Sequence, residues 1–233
     1  MALGQRGRRW LRLLLVAGVL LAIGAWWIDR QLEPQRLTAT VLKKAGDALK
    51  LDLRYTGEAD YALKPEPRLL IPNLEVRDPR DQSLILSARR AEVSLPWDTL
   101  TGGEPVITRI ELDAPVLDLP ALLRWQASRP KTPFKLPTLT KGIEVVDGTI
   151  RDTAFMLTKL ALDLPRLQAG EPAEAGVSMR LASGNLQMDF QGKLTAATPG
   201  LQSAFTLDGS GALLQKPQPL PFKIAMRVNY RSD

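Results

Sequence analysis

Apolar side chains recur at every second residue along most of the chain beyond Lys50, and this period constrains the fold more than any other feature. It is plain in Leu51, Leu53 and Tyr55, in Ala91, Val93 and Leu95, and in Leu160, Leu162 and Leu164. It returns in Val177, Met179 and Leu181, and in Leu186, Met188 and Phe190. The longest run is Phe222, Ile224, Met226, Val228 and Tyr230, alternating with Lys223, Ala225, Arg227 and Asn229. Successive strand residues face opposite sides, so the pattern predicts antiparallel strands with one dry and one wet face. Ten to twelve strands are expected. The phase slips between Leu86 and Ala91, which predicts a bulge near Ala88–Arg90. Asp147–Gly148 and Asp208–Gly209 read as tight turns or bulges. Pro96, Pro120 and Pro165 each close an alternating phrase, where proline stops a strand or sits on an edge.

The start of the chain is different. Leu13 to Ile28 holds sixteen residues without a charged or strongly polar side chain. At about 1.5 Å per residue they span roughly 24 Å, and extension to Trp10 brings this to roughly 28 Å, near the thickness of a bilayer core. Arg12 is placed to snorkel, and Trp10, Trp26 and Trp27 fit interfacial anchors. Arg8, Arg9 and Arg12 precede most of the run and Asp29 follows it, so the positive-inside rule puts the flank in the cytoplasm and the body outside. A cleaved signal peptide, ending near Ala22-Ile23-Gly24, is the alternative and exports the same body. Next, Pro34 opens an amphipathic helical stretch with Leu37, Val41, Leu42, Ala45 and Leu49 on one face.

The predicted fold is therefore mainly β: a transmembrane helix and a short amphipathic helix lead into a curled antiparallel sheet, groove-like or sandwich-like, with one or two short helices. A helix is expected over 121–128. The Pro-rich stretch 129–141 reads as a linker between a portion at 31–128 and a second sheet portion at 142–233.

Composition narrows the chemistry. The absence of Cys removes disulfides, thiol nucleophiles and Cys-bound zinc or lipid, and the absence of His removes imidazole catalysis and almost all transition-metal chemistry. The formal charge of +6 misleads: of 31 basic residues, Arg6, Arg8, Arg9 and Arg12 lie on the membrane flank, leaving 27 against 25 acids. That balance predicts no nucleic-acid surface. Arg77, Arg80, Arg89 and Arg90 read as a solvated strand face, with lipid headgroups as the rival partner. Asp78 and Asp81 read as turn residues, and Gly209-Ser210-Gly211 lacks the helix of a phosphate loop. Trp97 and Trp125 read as packing residues. No catalytic residue, metal or cofactor is expected.

The order of phrases carries a resemblance. Leu51–Gly57 is followed by Leu70–Pro79, Ala88–Trp97, Ile107–Leu119 and Ile143–Ile150. Within the last two stand I-x-L-x-x-P-x-L-x-L, from Ile110 to Leu119, and I-x-V-x-D-G-x-I, from Ile143 to Ile150. Over roughly residues 1–165 this resembles the N-terminal region of the AsmA family of Gram-negative envelope proteins, here in a short form. The resemblance implies a single-pass inner-membrane protein with a periplasmic β-rich body and an apolar groove, linked to outer-membrane biogenesis and phospholipid transport. It lends no catalytic residues.

The expected function is accordingly non-enzymatic: holding or passing phospholipid acyl chains along an apolar sheet face. Leu160, Leu162, Leu164, Leu186, Met188, Phe190, Phe222, Ile224, Met226 and Val228 are the candidates to line it. The same alternation equally serves a filled sandwich core. A different class of function also remains, that of an assembly subunit of a periplasm-spanning machine, bound by strand addition to a periplasmic or outer-membrane protein. Twelve strands at about 4.8 Å reach on the order of 55 Å, too short for a complete bridge between two membranes.

Overall fold

The computed structural model describes residues 34–62, 66–97, 107–128, 138–168, 170–197, 204–214 and 218–228. The expected membrane segment, with Arg8, Arg9, Trp10, Arg12, Trp26 and Trp27, lies outside them. Among the described residues no helix is long and apolar enough to cross a membrane.

Helix α1 spans Pro34–Leu49 and opens on the proline, whose missing N–H costs nothing in a first turn. Its Val41 and Leu42 are buried. Lys50 ends it with φ 55°, and the Leu51 amide donates to the Gly46 carbonyl at 3.0 Å. Twelve strands follow: β1 (Asp52–Tyr55), β2 (Asp60–Ala62), β3 (Arg68–Arg77), β4 (Leu84–Ser94), β5 (Arg109–Asp113) and β6 (Val116–Asp118). After helix α2 (Leu119–Ala127) come β7 (Ile143–Arg151), β8 (Met156–Leu164), β9 (Ala173–Ser183), β10 (Leu186–Ala196), β11 (Phe205–Leu213) and β12 (Leu220–Val228). All twelve belong to one sheet, ordered β1-β3-β4-β5-β7-β8-β9-β10-β11-β12, with β2 beside β3 and β6 between β4 and β7. Ten strands in line, about 4.8 Å apart, give a width of roughly 43 Å, less than expected because β2 and β6 add no width.

One junction departs from the antiparallel rule. β5 and β6 pair with β7 in parallel, and a parallel neighbour requires a crossover. Helix α2 begins that crossover. Asp118 caps it by accepting from the Ala121 amide at 2.7 Å, and Pro120 sits in its first turn. Residues 129–137 of the expected linker lie outside the described residues. Beyond them Leu139 is buried and bridges to Leu167, with paired backbone bonds of 2.8 and 3.0 Å.

The phase slip near 88–90 is present, but it is not confined to one strand. Dry-face residues jump an odd number of positions from Ile71 to Leu74 in β3, and from Ala88 to Ala91 in β4. The same happens from Leu112 to Leu117 across β5 and β6, from Val145 to Gly148 in β7, and between Leu157 and Leu160 in β8. Four of the five slips are taken up by Asn73, Ala114, Asp147 and Lys159 with φ of 45°, 47°, 55° and 51°, and the slip in β4 is made without a positive φ. Adjacent strands slip at one level, so pairing resumes on both sides of a crease. The crease ends at β9, whose pairing with β10 runs without a shift from Ser183 to Ala173.

The largest buried cluster lies at one end of the sheet. Val41 and Leu42 of α1 cover Leu69, Ile71, Leu74, Val76, Ala88, Ala91 and Val93. Beside it Ala121 and Trp125 of α2 pack on Ile85, and the Trp125 indole N–H donates to the Lys50 carbonyl at 3.4 Å. Trp97, expected to pack, is 54% exposed. Asp208–Gly209 is not a turn or bulge: both residues lie in regular register in the middle of β11.

Candidate functional site: the uncovered apolar face

Residues opposite one another in register share a face, so the pairing of β7–β12 sorts every side chain. Leu162, Val177, Gly192, Gly209 and Ile224 make one row across five strands of the dry face. Met179, Phe190, Gly211 and Phe222 make the next, and Ala175, Leu194, Leu207 and Met226 make another. Both helices pack toward the other end of the sheet, against β1–β4 and β6. Over β8–β12 the dry face carries no helix among the described residues. Its burial is uneven: Ala173, Ala175, Val177 and Phe190 are buried, whereas Leu186, Met226 and Leu220 toward the rim of β10 and on β12 are 40%, 41% and 53% exposed.

All ten candidate lining residues occupy this face. Leu160 and Leu162 stand opposite Gly148 and Val145, and Leu164 is opposite Ile143. Leu186 and Met188 pair with Ser183 and Leu181. Phe222, Ile224 and Met226 alternate with wet-face residues along β12, and Val228 holds the register position opposite Phe205. Sequence reasoning missed the glycines among them. A β-carbon on Gly192 or Gly209 would stand 2.7 Å from Phe190 Cζ, and one on Gly211 would stand 2.6 Å from Phe222 Cζ. The two rings therefore lie down along backbone that only glycine leaves clear, and Phe190 is just 4% exposed. Glycine counted as a small apolar residue extends the alternation through Phe205, Leu207, Gly209, Gly211 and Leu213, and that was the available signal.

Ion pairs cross the wet face between β3 and β4, β4 and β5, β5 and β7, and β9 and β10. Arg89 reaches Asp113 with two bonds of 2.8 and 2.9 Å, and Arg180 reaches Asp189 with bonds of 2.6 and 2.8 Å. Arg109 lies between Glu111 and Glu144, Arg68 donates to Glu92 at 2.9 Å, and Lys193 to Glu174 at 2.7 Å. The Arg89 guanidinium holds the Asp113 carboxyl below its usual pKa, and Arg180 does the same for Asp189. In the β3–β4 turn, Arg80 clasps the buried Asp78 and lowers its pKa, while Asp81 accepts from the Ser83 amide. Arg77 pairs with Glu75, and Arg90 with Glu92. The arginines weighed as headgroup ligands thus each have a carboxylate partner.

Two of the hollows among the described residues are of similar size. One of about 570 Å³ takes its polar lining from Lys159, Arg180, Asp189, Gln191 and Ser210, so it does not belong to the dry face. The other, of about 550 Å³, lies between α1 and β1 and is lined by Leu42, Leu51, Leu53 and Tyr55, with Lys43 and Asp47 at α1. Among the described residues no group of His, Cys, Asp or Glu is placed to hold a metal ion. No family model, curated protein or solved structure matches this chain.

Proposed function

We propose that the protein is a non-enzymatic, AsmA-like envelope component that holds phospholipid acyl chains against the dry face of β8–β12. Residues 13–28 tether it to the inner membrane, with the flank in the cytoplasm and the sheet in the periplasm. The observation that carries this reading is the apolar face itself. It is continuous across five strands and lacks a covering helix among the described residues, and exposed apolar patches of this kind mark a ligand or partner. An acyl chain moving from bilayer to sheet exchanges one apolar surround for another. Relative to water each CH₂ is worth about 0.8 kcal/mol in either place, so transfer needs no chemical step.

The test is lipid retained by the purified full-length chain. Native mass spectrometry is expected to find bound phospholipid, and a fluorescent acyl-chain probe is expected to compete with it. L186D and M226D, both at half-exposed dry-face positions, are expected to weaken probe binding at least tenfold with an unchanged far-UV circular dichroism spectrum. A lipid-free body, or variants that bind the probe as the parent does, would overturn the reading.

A further inference from the structure

The two ends of the sheet are finished differently. β1 is four residues long, and α1 packs on it. β12 is nine residues long, pairs without a shift from Leu220↔Leu213 to Val228↔Phe205, and has no described strand on its other side. Long, regular outer strands are templates for another chain unless bulges, prolines or charges blunt them, and like charges blunt an edge against a like-charged strand while leaving it open to an acidic one. β12 has no bulge, and its Pro221 stands near one end.

Charge supplies the second observation. The wet-face positions of β12 are Pro221, Lys223, Ala225 and Arg227, two cations and no acid. The cations of the inner strands β9 and β10 each reach an acid one strand away, Arg180 to Asp189 and Lys193 to Glu174. Among the described residues Lys223 and Arg227 form no such ion pair. Asp208 of β11, opposite Ala225, is the one wet-face acid of the described residues of β11 and stands diagonally between the two cations without an ion pair to either, so β12 presents two cations against a single acid.

We propose that the outer edge of β12 takes up an antiparallel strand of another protein, apolar at the positions facing Leu220, Phe222, Ile224, Met226 and Val228, and acidic opposite Lys223 and Arg227. Such a strand continues both faces of the sheet at once. It adds apolar surface to the dry face and brings acids to the cations of the wet one. A second copy of this chain fits less well, because its β12 brings two more cations and no acid to the same wet face. The inference is independent of lipid binding and survives its failure.

The probes are two nine-residue peptides offered to the full-length chain in detergent. One is Val-Glu-Val-Thr-Val-Glu-Val-Thr-Val, which sets its glutamates opposite Arg227 and Lys223 in the antiparallel register. The other has lysine in place of both glutamates. The glutamate peptide is expected to bind at least fivefold more tightly at low salt and to slow hydrogen exchange of the outward half of the amides at 220–228. The exposed double substitution Lys223→Glu, Arg227→Glu is expected to reverse the preference while leaving exchange in β9 and β10 unchanged. Equal affinity for the two peptides, no binding of either, slow exchange of the whole edge without peptide, or self-association through β12 would overturn the proposal.

Discussion

The ring of Phe190 lies across the backbone of Gly209 on the neighbouring strand, with Cζ 2.7 Å from where a β-carbon would stand. Glycine is required there by a neighbour and not by a turn, since Gly209 lies mid-strand in regular register with Gly192. Gly209→Ala is expected to displace the ring, to press on the Gln191 carbonyl oxygen, which lies closer still to the same β-carbon, and to cost about 1–3 kcal/mol, the range for inserting volume into a packed site. Gly176→Ala, where a β-carbon meets nothing within 4 Å, is the matched control and is expected to be neutral or mildly stabilising. The urea midpoints of the two variants report the difference.

Ala114 stands at φ 47° in the crease, between β5 and β6, where an L side chain is strained. Ala114→Gly relieves that strain and is expected to stabilise the fold by up to about 1 kcal/mol. Ala91→Gly, on the buried dry face of β4, is expected to destabilise it by a similar amount or more. Opposite shifts in denaturant midpoint are the predicted outcome. Shifts of the same sign would refute it.

Asp118 accepts a 2.7 Å bond from the Ala121 amide at the start of α2, the helix that carries the chain from β6 toward β7. Asp118→Ala removes this cap and is expected to cost about 1 kcal/mol. Asp118→Asn keeps an accepting oxygen and is expected to restore most of the loss, as read by thermal unfolding.

Asp78, Asp113 and Asp189 are held below the usual carboxylate pKa, each chiefly by hydrogen bonds from its arginine. A carboxylate whose folded pKa is depressed contributes stability above its unfolded value, and that stability is lost as pH falls through the folded one. Stability is therefore expected to hold near neutrality and to decline once the pH drops below the ordinary aspartate value of about 4. Arg89→Ala and Arg180→Ala are expected to flatten that acid decline, measured as the urea midpoint against pH. An unchanged slope in both would show that these pairs do not set it.

Much of the sheet was legible because period-2 alternation determines which side of a strand is dry. Leu160, Leu186 and Ile224 were sorted to one face without any knowledge of their partners. Helix α1 was legible from its proline and its 3.6-residue spacing, and α2 from the residues after Pro120. The parallel pairing of β5 with β7 was not legible, because alternation is blind to strand direction. Nor was the role of Asp208–Gly209, since the dipeptide signals a turn and the glycine is explained by the backbone of Gln191 and Gly192 and the ring of Phe190 on the neighbouring strand. The slip at Ala88–Arg90 was visible in one strand. Its matching slips at Asn73, Asp147 and Lys159 emerge only when the strands lie side by side.

Those matched slips make residue count a collective property of the first half of the sheet. A single residue inserted into β4 or β7 beside the crease would send half of that strand to the opposite side, burying its charges and exposing its leucines, unless every neighbour changed length with it. Loops elsewhere are free to grow or shrink one at a time, whereas these strands are locked to a common tally, so tolerance to a one-residue insertion is expected only in the segments that join them.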